Sequence, residues 1–383
     1  MKGHIRKRGL KSWAIKVELP RDPVTGKRRT KWHTVRGTKR QAEIELTRLL
    51  HEINTGQYAE PSRMSVAQYL EHWLETYAQH NVSGKTFERY EQIVRSHLVP
   101  GLGSLKLAHL APMHVQEYLA NGLANGRVDG KGGLSPQSVK HHYRVLSQAL
   151  RQAVRWQVLA RNPCASVDPP RVPRREMAIL DHQQAAQLLK SAEPRPEYVA
   201  VLLALTTGMR RGEILALRWS DVDLNGRTLA VRQTLEQTRA GLNFKQPKTP
   251  RSRRAISLAS IAVQALHRHR IAQATERLRL GPAYIDNDLV NARPGGSPMN
   301  PHGLTYAFSE LAKRNGLSVR FHDLRHTHIS HLLAAGVHPK IASERAGHAS
   351  VSITMDVYSH LMPGLQQEAA ERVDAALRLA LEE

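Results

Sequence analysis

The sequence predicts a multidomain, mainly α-helical chain in three parts: a small three-stranded sheet backed by one helix over residues 1–56, an all-α domain over 63–165, and a mixed α+β, mostly helical region over 175–383. Three observations carry this. A chain of 383 residues exceeds one average domain. Its apolar period changes from two to about 3.6 near residue 38. Turn-forming breaks at 56–63 and 163–175 then divide the remainder. The second break holds Pro169, Pro170 and Pro173 with Arg171, Arg174 and Arg175, the composition of a stiff basic linker.

At the front, Trp13, Ile15, Val17 and Leu19 alternate with Ala14, Lys16 and Glu18, which reads as a half-buried strand. A turn at 22–26 leads to another strand over about 27–35. Thr38 with Gln41 forms a capping-box signature, and Ala42, Leu46, Leu49, Leu50 and Ile53 follow as one apolar stripe. Ser65 caps a second helix carrying Val66, Tyr69, Leu70, Trp73, Leu74 and Tyr77. A helix over 85–98 is expected to stop before Pro100, and Pro112 opens the next. Ser135-Pro136 starts a long helix through Val139, Leu146, Leu150 and Val154, its end marked by Asn162-Pro163. In the last region, 227–231 and 254–258 are the expected strands.

Composition narrows the function. The chain is 41% hydrophobic, enough for real cores, yet has no apolar run of about 18 residues for a membrane. The basic N-terminus lacks the apolar stretch of a secretory signal. Cys164 is the only cysteine, which excludes a disulfide framework or a cysteine-built zinc site and fits a reducing, cytoplasmic, nucleoid-associated setting. The net charge of +23 and a pI near 10.5 point to a polyanionic partner. Residues 1–40 hold 14 Lys or Arg against Glu18 and Asp22. That charge lies on a foldable segment, which favours nucleic acid over an acidic lipid surface. Expected DNA contacts are Arg6, Lys7, Arg8, Lys27, Arg28, Arg29 and Lys31 on the front sheet, with Lys85, Arg89, Lys140 and Arg144 on the helical domain. Scattered solubilising charge is the plain alternative for the last four.

Four clusters in the last region carry chemistry. Thr206-Thr207-Gly208-Met209-Arg210-Arg211-Gly212-Glu213 follows an apolar helix; Gly208 ends it and presents Arg210 at a helix start. Lys245-Gln246-Pro247-Lys248-Thr249 precedes a basic strand, at a hairpin tip. His322 and Arg325, three apart, share one helical face. Gly347-His348 is followed ten residues later by Tyr358. The ordered set Arg210, Lys248, His322, Arg325, Gly347-His348 and Tyr358 resembles the catalytic signature of the tyrosine recombinase (phage integrase) family. The resemblance spans essentially the whole chain. Its front module resembles the arm-site-binding domain of larger integrases, and its helical domain their core-binding domain. Ala346 departs from the Leu common before the Gly-His pair, which implies a packing change only.

What the resemblance implies is a site-specific recombinase in which Tyr358 attacks a phosphate. A 3′-phosphotyrosine link forms, a 5′-hydroxyl is freed, and a partner strand reverses the step, without ATP, metal or other cofactor. Family members work as tetramers on two double-stranded DNA sites. Here core and arm attachment sites, a host DNA-bending protein and an excision factor are the expected partners, and integration or excision of a phage or other mobile element the expected role. The residue types suit such chemistry. Arg210 and Arg325 offer permanent planar forks to the phosphate oxygens, and His348 adds a donor. His322 can accept the proton of Tyr358, whose ordinary pKa is about 10. Lys248 suits protonation of the leaving 5′-oxygen, and Glu213 orients or neutralises nearby arginines. An apolar tail helix over 366–381 packs either on a neighbouring subunit or on its own domain.

Other readings exist for the same residues. His322, Asp323, His326, His328 and His331 crowd ten positions and raise a metal site, although helical spacing turns His328 away from His322 and His326. A DNA-relaxing topoisomerase of the type IB class would share much of the chemistry. A non-catalytic repressor would use the same basic surfaces without Tyr358.

Overall fold

The computed structural model describes residues 3–21, 25–55, 63–173, 177–247, 253–348 and 350–358. It adds 370, 371, 373, 374, 377, 378 and 381 in the tail, and gives the backbone alone of Ile353, Asp356, Val357 and Tyr358. Lys248, the turn at 22–24 and most of the tail helix expected over 366–381 lie outside that set. The chain divides into two compact units, Met1–Pro173 and Arg174–Glu383, and the first contains two separate cores.

The front module is an antiparallel meander of β1 (Gly3–Gly9), β2 (Ser12–Leu19) and β3 (Arg29–Arg36), followed by α1 (Lys39–Asn54). Thr38 and Gln41 make the expected capping box. Ile15, Val17 and Leu19 pack on Ala42, Leu49 and Ile53, so alternate residues of β2 face the helix as period two requires. The same pleat sorts the basic residues. Arg6 lies opposite Ala14 and Lys16 opposite Trp32, on the face away from α1, whereas Lys31 lies opposite Val17 on the helix side.

In the helical part, α2 (Val66–Trp73) runs through a π-type turn at Leu74–Ala78 into α3 (Gln79–Asn81). Likewise α4 (Gly84–Ile93) passes through Val94–Leu98 into α5 (Val99–Leu102). The helix therefore does not stop before Pro100. In the π-type turn the Val99 N–H bonds to Val94, and Pro100, which lacks an N–H, sits at the start of the next segment where none is required. Next come α6 (Pro112–Asn125) and α7 (Pro136–Arg155), the latter capped by Ser135 as expected.

Two further expectations are corrected here. Helix α7 ends at Arg155, seven residues before Asn162. Gln157 adopts φ +58 while its N–H bonds to Val154 and that of Val158 to Ala153, a C-terminal stop normally built with glycine. The proline-marked linker also begins later than expected. Pro163, Cys164 and Val167 are buried with the helical core, and the Tyr143 hydroxyl donates to the Cys164 carbonyl at 2.9 Å.

The second unit is built around α9 (Tyr198–Thr207), whose residues 199–204 are all buried; an all-round apolar helix belongs in a core. Packed around it are α8 (His182–Ala192), α10 (Arg211–Leu215), α11 (Ser260–Leu280) and α13 (Asp323–Ala334). The remaining helices are α12 (Pro301–Arg314), α14 (Pro339–Ala346) and α15 (Val351–Tyr358). One small sheet joins β4 (Val222–Asp223), β5 (Thr228–Val231) and β8 (Arg254–Ser257), which includes both expected strands. A separate hairpin of β6 (Thr234–Thr238) and β7 (Gly241–Lys245) was not expected. It buries only Leu235 fully and lacks the alternation that announces a strand.

Because Gln157 holds a backbone shape that favours glycine, Gln157→Gly should raise the thermal unfolding midpoint slightly and Gln157→Val should lower it, each by up to about 1 kcal/mol of stability. Circular dichroism melts of the two variants beside the wild type check the opposite signs.

Candidate active site

Two left-handed glycines organise the site. Gly208 closes α9 at φ +65, and a Cβ there would stand 2.7 Å from the His328 ring, so only glycine fits the turn. The turn places Arg210 immediately ahead of α10, with its N–H on Glu213 Oε2 at 3.0 Å. Gly347 closes α14 at φ +68 against the Arg254 guanidinium. Each glycine carbonyl accepts from an arginine of another segment. Arg325 Nη1 donates to Gly208 O at 2.6 Å, and Arg210 Nη2 to Gly347 O at 3.0 Å. Arg325 is buried, whereas the Arg210 side chain is 40% exposed.

Beneath these groups lies a compensated charge network. Glu213, 3% exposed, bonds Arg210 Nη1 at 2.8 Å and Arg254 Nη2 at 2.9 Å. Arg254 also donates through Nε to the Arg345 carbonyl at 2.7 Å. Arg345 in turn donates to the carbonyls of Thr206 and Ser257, both at 2.9 Å, and to His328 Nε2 at 3.2 Å. With Nε2 accepting, His328 carries its proton on Nδ1 and gives it to the Leu205 carbonyl at 2.8 Å. Burial and the neighbouring Arg345 push its pKa down to about 4, so the ring is neutral. Burial raises the Glu213 pKa, but the bonds from Arg254 and Arg210 outweigh it and leave the carboxyl below its ordinary value.

The other imidazoles gather on the same side. His348 is half-buried, its Nδ1 lies 2.8 Å from the Thr354 hydroxyl, and burial with the Arg325 and Arg210 charges lowers its pKa to about 4. The His322 and His326 rings meet edge to face at 5.1 Å. Burial and His322 hold His326 at about 4. Contact with protein, then Arg325, lowers His322 from its ordinary value although the residue keeps exposed surface. His331 is directed elsewhere, to the Leu180 carbonyl at 2.8 Å with its ring stacked on His182. Among the described residues no group of three His, Cys, Asp or Glu stands within reach of one ion.

Residues 178–364 match the phage integrase family, and residues 65–123 match the phage integrase N-terminal SAM-like domain. The ICEBs1 integrase of Bacillus subtilis is 30% identical over 249 residues, 64% of this chain and 67% of that protein. The chain belongs to the phage integrase family. A tyrosine recombinase XerC-like protein of Caldanaerobacter subterraneus subsp. tengcongensis is 25% identical over 357 residues, 88% of the integrase and 90% of that relative. The Tn1549 transposon integrase, solved with a circular intermediate DNA, shares the fold at TM-score 0.67 and 21% identity, with 81% and 99% of the two chains covered. A lambda integrase tetramer bound to a Holliday junction does so at 0.56 and 22%, with 90% and 95% covered. The integrase is thus a tyrosine recombinase, an enzyme that cleaves and rejoins DNA strands in site-specific recombination.

The integrase brings together Arg210, Glu213, His322, Arg325 and His348 from three chain segments. Tyr358 is the last residue of α15, four positions after Thr354, and its side chain lies outside the described residues, as does Lys248. Lys245, the other lysine of that loop, is in β7 and pairs with Glu236. Arg345 and Thr354 drew no reading from the sequence, Arg254 counted only as part of a basic strand, and His328 only as a member of the histidine cluster. The only signals were an arginine-rich strand start and a basic residue two places before Gly347. Ala346 is buried against Ile329, Leu333 and Ala342, so its small side chain serves packing, as expected.

The remaining basic residues belong to the first unit. Arg6, Lys7, Arg8, Lys27, Arg28 and Arg29 are exposed in the front module. Lys85 and Arg89 are exposed on α4, and Arg144 is exposed and Lys140 half-buried on the neighbouring α7, where burial and then Arg89 and Arg144 lower the pKa of His141. Among the described residues no helix is long and apolar enough to cross a membrane.

Removing the buried carboxylate leaves Arg254 enclosed without its counter-charge. Glu213→Gln should therefore cost about 3 kcal/mol or more at pH 7. A depressed carboxyl stabilises the fold above its unfolded value of about 4.3 and loses that contribution as pH falls through the lower folded value. Urea titrations should show the gap between wild type and variant steady at neutral pH and narrowing only below about pH 4.

Proposed function

We propose that the integrase performs its strand exchange with Arg210, Lys248, His322, Arg325, His348 and Tyr358, supported by Glu213. One observation carries this reading. Two guanidiniums from distant segments are fixed by glycine carbonyls beside two neutral imidazoles, with a nucleophile-bearing helix tied to one of them. A phosphodiester repels nucleophiles, and its charge grows on the non-bridging oxygens as attack proceeds. Arg210 and Arg325, already oriented, neutralise that charge without reorganising. His348 adds a hydrogen bond to the same phosphate.

The Tyr358 phenol attacks the phosphate and His322, neutral at pH 7, takes its proton. Lys248 protonates the departing 5′-oxygen. The product is a 3′-phosphotyrosine ester and a free 5′-hydroxyl, and a 5′-hydroxyl from a partner duplex reverses the step. One ester replaces another of similar energy, so neither ATP nor a metal is required for the exchange.

The substrate in this reading is double-stranded DNA carrying a core and an arm attachment site. The front module and its Arg6, Lys7, Arg8, Lys27, Arg28, Arg29 and Lys31 serve the arm. The helical domain, through Lys85, Arg89, Lys140 and Arg144, serves the core site. Lys31 is the weakest member, because it lies on the helix-facing side of its sheet. A homotetramer on two sites is the working assembly, as for the lambda integrase tetramer solved on a Holliday junction. Integration or excision of a phage or other mobile element is the role, with a host DNA-bending protein and an excision factor as accessory partners.

A nicked duplex containing the core site, whose short strand diffuses away after cleavage, tests the reading. Wild type should form a covalent protein–DNA band, undiminished by EDTA, and Tyr358→Phe should form none. Arg325→Lys should bind the duplex normally yet form the band about 100-fold more slowly, because a point charge cannot replace the planar fork.

A further inference from the structure

The hydrogen bond between Thr354 and His348 enters none of the proton transfers above. Threonines inside the helices of this chain habitually donate back to the carbonyl four residues earlier. Thr47, Thr76, Thr206, Thr275, Thr305 and Thr327 all do so. Thr354, in α15, is directed instead at His348 Nδ1, 2.8 Å away. Its residue is fully buried, so water does not compete for the hydroxyl.

We propose that Thr354 is a positioning residue for strand cleavage: its hydroxyl donates to Nδ1 of His348 and so keeps the ring proton on Nε2, where it serves the scissile phosphate. The proposal rests on the reading that His348 hydrogen-bonds that phosphate.

A neutral imidazole has one N–H and one lone pair. Burial and the Arg325, Arg210 and Arg254 charges keep His348 neutral at physiological pH, so the second proton that would make both nitrogens donors is absent. Which nitrogen carries the single proton then decides whether the phosphate meets a donor or a lone pair. A lone pair facing an anion repels it. A hydroxyl at Nδ1 can donate there, and with an anionic phosphate accepting at Nε2 that is the productive tautomer. The same bond links two parts of the reaction, because Thr354 stands one helical turn before Tyr358 on α15. Seating of the helix that bears the nucleophile and preparation of the phosphate donor are therefore one event.

Single-turnover cleavage of the nicked core duplex, with duplex affinity measured in parallel, tests this in wild type and four variants. Thr354→Val keeps shape and removes the hydroxyl. It should cleave about tenfold more slowly than wild type at unchanged affinity. Thr354→Ser, which restores a hydroxyl, should recover to within about threefold. The deciding comparison is the double variant: once His348→Ala has removed the ring, adding Thr354→Val should cost nothing more. Equal losses in both backgrounds would show that Thr354 only anchors the helix, and an unimpaired Thr354→Val would also overturn the proposal. If His348→Ala itself cleaves like wild type, the failure lies with the role given to His348.

Discussion

Four guanidiniums in one small region would repel each other and the fold would open, were their charge not answered from inside the protein. The answer comes from two sources. Glu213 is a buried carboxylate placed between Arg210 and Arg254. The ends of α9 and α14 supply carbonyls, at Gly208, Gly347, Thr206 and Arg345, where the helix dipole is negative and the last carbonyls lack intrahelical partners. Each arginine thus satisfies a helix end that would otherwise be left open, and each helix end fixes an arginine. Stability and preorganisation come from the same bonds, so a substitution in this network disturbs both.

The charge balance also explains the histidines. Burial disfavours the charged imidazoles, and the neighbouring positive charges act in the same direction, so His326, His328 and His348 are all driven to about 4. Neutral rings are useful to the reaction in different ways. In the proposed mechanism one accepts a proton and one donates a hydrogen bond without adding a charge, while His328 bridges Arg345 to the end of α9. The crowding of histidines around His322 that raises a metal site in the sequence is accounted for by these separate partners.

Much of the centre was legible because it follows from local rules. A glycine after an apolar helix announces a left-handed stop, and Gly208 obeys it; Gly347 makes the same stop after the polar α14, where the sequence showed only its pairing with His348. Thr38, Ser65 and Ser135 cap the helices they precede. What stayed hidden was non-local or broke a local rule. Gln157 does a glycine's work at the end of α7, and π-type turns carry a helix through Pro100. The β6–β7 hairpin has too few buried side chains to mark it. Arg254 and Arg345 read as ordinary surface cations, since nothing in the chain order says that Glu213 lies 41 residues from one of its partners yet within hydrogen-bond reach.

In the proposed mechanism Arg325 acts on the charge of the phosphate. A duplex whose scissile phosphate is replaced by a methylphosphonate carries no negative charge there, and its transition state gathers less. Arg325→Ala should be inactive on the normal duplex and regain covalent complex formation on the neutral one. If Arg325→Ala remains equally inactive on both substrates, while wild type cleaves both, the guanidinium is not there to neutralise the phosphate and the account fails.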